Sequence, residues 1–168
     1  MGRFTQYPAA STADYADATT FLIANEDGVI KQASLEALRS TFFCNTLCAS
    51  LVIPSSEVLQ LNSTPQVIVS AQGAGTVIEV VSAFVKVDFN SAAYATNTDL
   101  QLMTSKGSIN LARNTGILLS TSSAIKSFAV TEGDIIENAD LEVTVRTGNP
   151  TAGDSDIEVF VLYRVINV

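Results

Sequence analysis

The sequence predicts a mainly β protein. A C-terminal antiparallel β-sandwich of jelly-roll type is preceded by a small hairpin–helix segment and an extended N-terminal arm. Three observations carry this. Thr76 to Phe89, TVIEVVSAFVKVDF, alternates over a length only a strand explains. From Glu57 onward, short apolar runs recur between turn-forming residues with no helical period. A helical stripe follows a hairpin only within residues 21–43.

Residues 1–20 have neither period and are rich in Ala, Ser and Thr, with Phe4, Tyr7, Pro8 and Tyr15 spaced along them. Spaced aromatics on such an arm suit a segment that orders when they find pockets on a partner. FLIAN and VIKQ then flank Glu26-Asp27-Gly28, and Asp-Gly supplies the positive-φ positions of a tight hairpin. Phe21 and Ile23 belong to its first strand. Ser34 stands where a helix N-cap belongs, with Glu36 in the first turn. Leu35, Leu38 and Phe42 form one apolar stripe behind it. A hairpin and one short helix do not hold themselves together, so the segment must pack on the C-terminal domain, a second copy of the chain or a partner protein.

Cys44 and Cys48 share a face if the helix continues, too far apart for an unstrained disulfide. With no His in the chain, they read as small buried hydrophobes in a reducing compartment rather than as a metal or redox pair. Ser50 to Ser56, containing Pro54, is the expected linker. The organisation is thus an attachment segment over 1–49, a linker over 50–56 and a β-sandwich over 57–168.

In the sandwich the expected strands are EVLQL, QVIVS, the Thr76–Phe89 stretch, TDLQLMT, GILLS, IKSFAV, LEVTVRT and DIEVFVLYRVI, about eight to ten in all. Thr76–Phe89 would run about 46 Å at about 3.3 Å per residue, so a bend or bulge is expected inside it. Val77, Val81, Ala83, Val85, Val87 and Phe89 are expected on one face. In the last strand Ile157, Val159, Val161, Tyr163 and Val165 share a face. The loops NSAAYATNT, with Tyr94, and TGNPTAGDSD, with Asp154 and Asp156, are the expected exposed contact loops.

Composition narrows function. Nine basic against seventeen acidic residues, a net charge of -8 and no basic run argue against phosphate-driven nucleic-acid binding. Charged residues are only 15% of the chain, which suits a protein that hides surface in an assembly. No apolar run is long enough to span a bilayer, and the N-terminus lacks the segment of a secretory signal, so a soluble protein made in the cytosol is expected. Gly73-Ala74-Gly75 precedes a strand and lacks the third glycine of a dinucleotide loop; it is a turn. Without His the usual nucleophile–base pairs are unavailable. The acids Asp154, Asp156, Glu158 and Asp134, Glu137, Asp140 admit a calcium site or a glycosidase pair, but read as solvated strand-end groups. No enzyme, cofactor or metal is expected.

Gly2 to Ser40, with Phe4, Tyr7-Pro8-Ala9-Ala10 and TTFLIANEDGVIKQASLEALRS, resembles the N-terminal virion-attachment modules of tailed-phage fibres, tail spikes and head-decoration proteins. The run IPSSEVLQLNSTPQVIVSAQGAGTVIEVVSAFVKVDFNSAAYATNTDLQLM is similar to β-sandwich proteins encoded among phage structural genes. The resemblance implies a homotrimer located in the virion. A capsid decoration or head-fibre protein would bind the major capsid protein or another virion protein. A short tail fibre or adaptor would meet the host surface and a glycan there. The reading from another class is a carbohydrate-binding or carbohydrate-processing jelly roll with Tyr94 and Tyr163 as platforms, against which the absence of Trp and His weighs. The attachment residues would be Phe4, Tyr7, Pro8, Tyr15, Phe21 and Ile23, and the trimer contacts Leu35, Leu38 and Phe42.

Overall fold

The computed structural model describes residues 20–24, 30–34, 46–106, 110–131 and 136–168. The chain divides into two units, Met1–Asn45 and Thr46–Val168. In the first, β1 (Thr20–Ala24) and β2 (Ile30–Ser34) pair antiparallel, with Phe21 opposite Ala33 and Ile23 opposite Lys31. These are the two strands expected around the Asp-Gly turn. The expected helix, and with it Leu35, Leu38 and Phe42, lies outside the described residues, as do Phe4, Tyr7, Pro8 and Tyr15.

The second unit is a two-sheet sandwich. Its elements are β3 (Leu47–Ile53), α1 (Ser55–Val58), β4 (Gln66–Val69), β5 (Thr76–Asp88), β6 (Leu100–Thr104), β7 (Asn110–Asn114), β8 (Ala124–Ser127), β9 (Ala129–Val130), β10 (Leu141–Val145) and β11 (Asp156–Asn167). One sheet has the order β3-β11-β5-β8 and the other β4-β10-β6-β7-β9, all antiparallel. The first long strand pairs with the last (β3–β11), the second with the one before it (β4–β10), then β5 with β8 and β6 with β7. Such nested pairing, folded across two sheets, is the double Greek key of a jelly roll. The two-residue β9 is an addition at the outer edge of β7.

Between the sheets lie Ile53, Val85, Val87, Leu100, Leu102, Leu141, Val143, Ile157, Val159 and Val161, all essentially inaccessible. Strand alternation puts them there. Along β11, Ile157, Val159 and Val161 face in and Phe160 and Leu162 face out, as the sequence pattern predicts.

The expected irregularity in β5 is a bulge at Val81. Tyr163 pairs with Val80 and Leu162 with Ser82, so Val81 has no partner. The extra residue switches the inward set from Ala83, Val85 and Val87 to Ile78 and Val80. Val81, which simple alternation puts on the same face as Ala83, Val85 and Val87, is 45% exposed and Val80 only 8%. Beyond the bulge the β5–β11 ribbon is fastened by Arg164, whose Nε donates to Glu79 Oε2 at 2.7 Å.

Three expected boundaries change. Leu47–Ile53 is a strand of the sandwich rather than helix end and linker, because it adds to the free side of β11. EVLQL is not a strand. Pro54, two serines and Glu57 start a short helix that buries Val58, and Asp156 Oδ1 accepts from the Ser55 amide at its N-terminus. GILLS is a turn set by Asn114, whose Oδ1 accepts from the Gly116 and Ile117 amides, and it plugs the core with Ile117 and Leu118. The strand belonging there is β7, NLARN, where Leu111 and Ala112 are both buried, so it carries no alternation to read.

Candidate assembly surface

The outer face of the β3-β11-β5-β8 sheet carries a group of exposed apolar residues. In antiparallel pairing, residues directly opposite share a face. The register therefore lays three rows across the sheet. Ser50, Phe160, Phe84 and Ser127 form the middle row. Cys48, Leu162 and Ser82 lie on one side of it, and Val52, Glu158, Lys86 and Ile125 on the other. Phe160, Phe84 and Leu162 stay 37%, 42% and 39% exposed, and Val52 and Ile125 more so. Cys48, Ala49, Ser50, Phe84, Phe160, Val161 and Leu162 line a shallow depression of about 330 Å³. Two phenylalanines thus stand side by side on a partly exposed face.

Among the described residues the β3 edge of this sheet is also uncovered. β3 is LCASLVI, without a charge, a proline or a bulge, and among the described residues only β11 pairs with it. Natural edges are usually blunted by such devices because open backbone groups recruit other strands. The charges on the face are few. Lys86 donates to Asp88 Oδ2 at 2.8 Å, and that bond, helped by Glu158 across the strand, holds its ammonium above the usual lysine range despite some desolvation.

The two expected contact loops meet at one end of the sandwich but spend their polar groups on each other. Ala95 and Thr151 form an isolated bridge, and Asn97 donates to the Asn149 carbonyl. Asp154 accepts from the Ser91 hydroxyl, the Ala92 and Ser91 amides and the Asn90 side chain, which together hold its carboxyl down at about 2. Asp156 binds the Ser55 amide. Tyr94 is a correction. At 2% exposure it belongs to the core, and its hydroxyl donates to the Ser155 carbonyl at 2.6 Å. Burial, then the nearby Asp156 and Asp154, push its phenol well above the usual range. An aromatic in a Ser/Ala/Thr loop reads as exposed from sequence. Here it is buried because Gly153 leaves room for its ring. The carbohydrate reading thereby loses Tyr94 as a platform, and Tyr163 is half-buried against the core.

Of the remaining acids, Asp134 lies outside the described residues. Glu137 accepts from the Gly75 amide and Asp140 from the Ala71 amide, so both tie loops to strands. Among the described residues no cluster of three His, Cys, Asp or Glu could hold a metal. No described helix is long and apolar enough to cross a membrane. Cys48 is an exposed free thiol, not a buried hydrophobe, because it sits at an outward position of a strand rather than on a helix. Cys44, Phe4, Tyr7, Pro8, Tyr15, Leu35, Leu38 and Phe42 lie outside the described residues, and Phe21 and Ile23 are placed only as members of β1. The outward pair Phe84–Phe160 was not singled out from sequence. Its signal was an apolar residue at the polar parity of two long strands.

Fold and surface together define a class: a two-sheet jelly-roll β-sandwich with an apolar outer sheet. No protein-family model matches the chain, and no curated protein matches it. Among solved structures it is similar to a chain of the "Cyanophage Pam1 capsid asymmetric unit", at 12% identity and a TM-score of 0.44, over 71% of this chain and 84% of that one. A likeness of that depth defines neither a shared site nor a shared activity.

Proposed function

We propose that the chain is a structural protein of a tailed-phage virion, a capsid decoration or head-fibre protein that docks through residues 1–45 and displays the jelly roll outward. The observation that carries the reading is the outer sheet: paired phenylalanines and, among the described residues, an uncovered edge strand on a domain whose loop acids are spent on internal hydrogen bonds. Such a surface suits association rather than turnover of a substrate. The arm, with Phe4, Tyr7, Pro8 and Tyr15, and the hairpin, with Phe21 and Ile23, are the attachment residues. The partner is the major capsid protein or another virion protein.

Ordering an arm costs about 1–2 kcal/mol per residue in backbone entropy. Burial of its aromatics offsets this, and so does repetition over three copies joined through Leu35, Leu38 and Phe42, which raises avidity without new contacts. The test is reconstitution on particles lacking the protein. A chain starting at Thr46, which keeps β3 whole, should fold and fail to bind, while residues 1–45 fused to an unrelated trimer should bind. If the chain from Thr46 decorates particles as well as the full protein, the sandwich is the anchor and the assignment is reversed.

A further inference from the structure

We infer that the outer face of the β3-β11-β5-β8 sheet is a self-complementary contact between two copies of this chain, related by a twofold axis that runs along the line between β11 and β5. This goes beyond the function proposed above and requires neither a virion nor a trimer.

The pattern of the face carries it. A twofold along that line lays β11 of one copy over β5 of the other, and the reverse, so every contact is made twice. Phe160 then covers Phe84 of the second copy, and Leu162 covers Ser82, in the register the strands already share. Glu158 comes over Lys86 of the second copy, and Lys86 over Glu158. The row with opposite charges on β11 and β5 is therefore complementary to itself, while the middle row is apolar on both strands. The two acids at the end, Asp156 and Asp88, are held by the Ser55 amide and the Lys86 ammonium. By the same register Asp156 comes over Asp88 of the second copy, a like-charge row at the end of the face that weakens the contact.

The size of the face sets the strength. Four strands spaced about 4.8 Å apart, over about seven residues of about 3.3 Å each, cover roughly 400 Å² per copy. That is about half of a standard interface of about 800 Å² per partner. The contact alone is then a weak, transient one.

Sedimentation velocity on the full chain over a range of concentrations tests this. It is run in parallel on Leu38→Asp, so that loss of the proposed helix contact and loss of this one are read separately. Lys86→Glu makes both charged positions of the row acidic, and Glu158→Lys makes both basic. Each variant alone should associate at least tenfold more weakly than the parent. An equimolar mixture should recover parental affinity or better. Both variants carry the same like-charge strain within the chain whether mixed or not, so recovery on mixing can come only from contact between copies. Phe84→Ser with Phe160→Ser should abolish association with β-rich circular dichroism retained. The inference is overturned if the Leu38→Asp chain does not associate up to high micromolar concentration, or if the charge variants associate like the parent. It is equally overturned if the mixture fails to recover. Association lost through Ser50→Pro on the β3 edge but untouched by the charge variants would mean strand addition instead.

Discussion

Gly153 lies flat against the ring of Tyr94: a β-carbon at 153 would stand 2.4 Å from Cδ1, and the residue's φ is +84°. The contact closes the loop end of the sandwich, since Tyr94 then reaches the Ser155 carbonyl with its hydroxyl. Gly153→Ala meets both a steric overlap and a left-handed backbone, and should destabilise the fold by about 2–4 kcal/mol. Tyr94→Phe removes only the hydrogen bond and should cost about 0.5–1.5 kcal/mol. Urea unfolding followed by circular dichroism separates the two. A Gly153→Ala protein as stable as the parent would show that the ring moves freely.

Asp154 should make the same end sensitive to acid. Its carboxyl is depressed to about 2 by the Ser91 hydroxyl and then the Ala92 and Ser91 amides. A folded pKa below the unfolded value of about 3.9 means that ionised Asp154 stabilises the fold at neutral pH. That contribution is lost as pH falls from about 4 through about 2. Asp154→Asn should therefore be less stable than the parent at pH 7, with the difference shrinking across that window. Melting temperatures at stepped pH check this, and a pH-independent difference would contradict it.

The bulge predicts an asymmetry between deletions in one strand. Removing one valine of the Val80-Val81 pair leaves a regular ladder with a valine still facing in, because Val81 has no partner on β11. That variant should fold, with a melting temperature within a few degrees of the parent. Removing Val85 instead turns every residue on one side of it to the wrong face, and should give insoluble protein.

Core and face should respond differently to truncation. Leu102→Ala opens a cavity at a fully buried position and should cost about 2–5 kcal/mol. Val52→Ala, on the exposed side of β3, should change stability by less than about 0.5 kcal/mol. Chemical denaturation of both gives the comparison.

Leu38→Asp tests the trimer. The parent should behave as three chains by light scattering and the variant should not, while the β-rich circular dichroism of the sandwich is unchanged. A stable monomeric parent at micromolar concentration would remove Leu35, Leu38 and Phe42 from that role.

The sequence by itself determined the class of fold, and it did so through period. β11 and the Ala83–Val87 half of β5 carry enough alternating residues for their inward sets to be read directly, and the length of β5 called for a bend or bulge, but that Ile78 and Val80 turn inward beyond it was not legible. The apolar runs on either side of Asp27-Gly28 likewise announced the antiparallel pairing of β1 with β2, while the turn itself lies outside the described residues. Short segments lacked that redundancy. EVLQL alternates like a strand, yet Pro54 and the Asp156 carboxylate, about a hundred residues away in sequence, make it begin as a helix. NLARN has no pattern, and only the free side of β6 makes it a strand. Tyr94 looked exposed until Gly153 was brought beneath its ring. The outer face was the hardest to read: Phe84 and Phe160 lie 76 positions apart, and only the β5–β11 register sets them side by side. Local periodicity is written in neighbouring residues, whereas register, caps from distant strands and shared faces exist only once the chain has closed on itself.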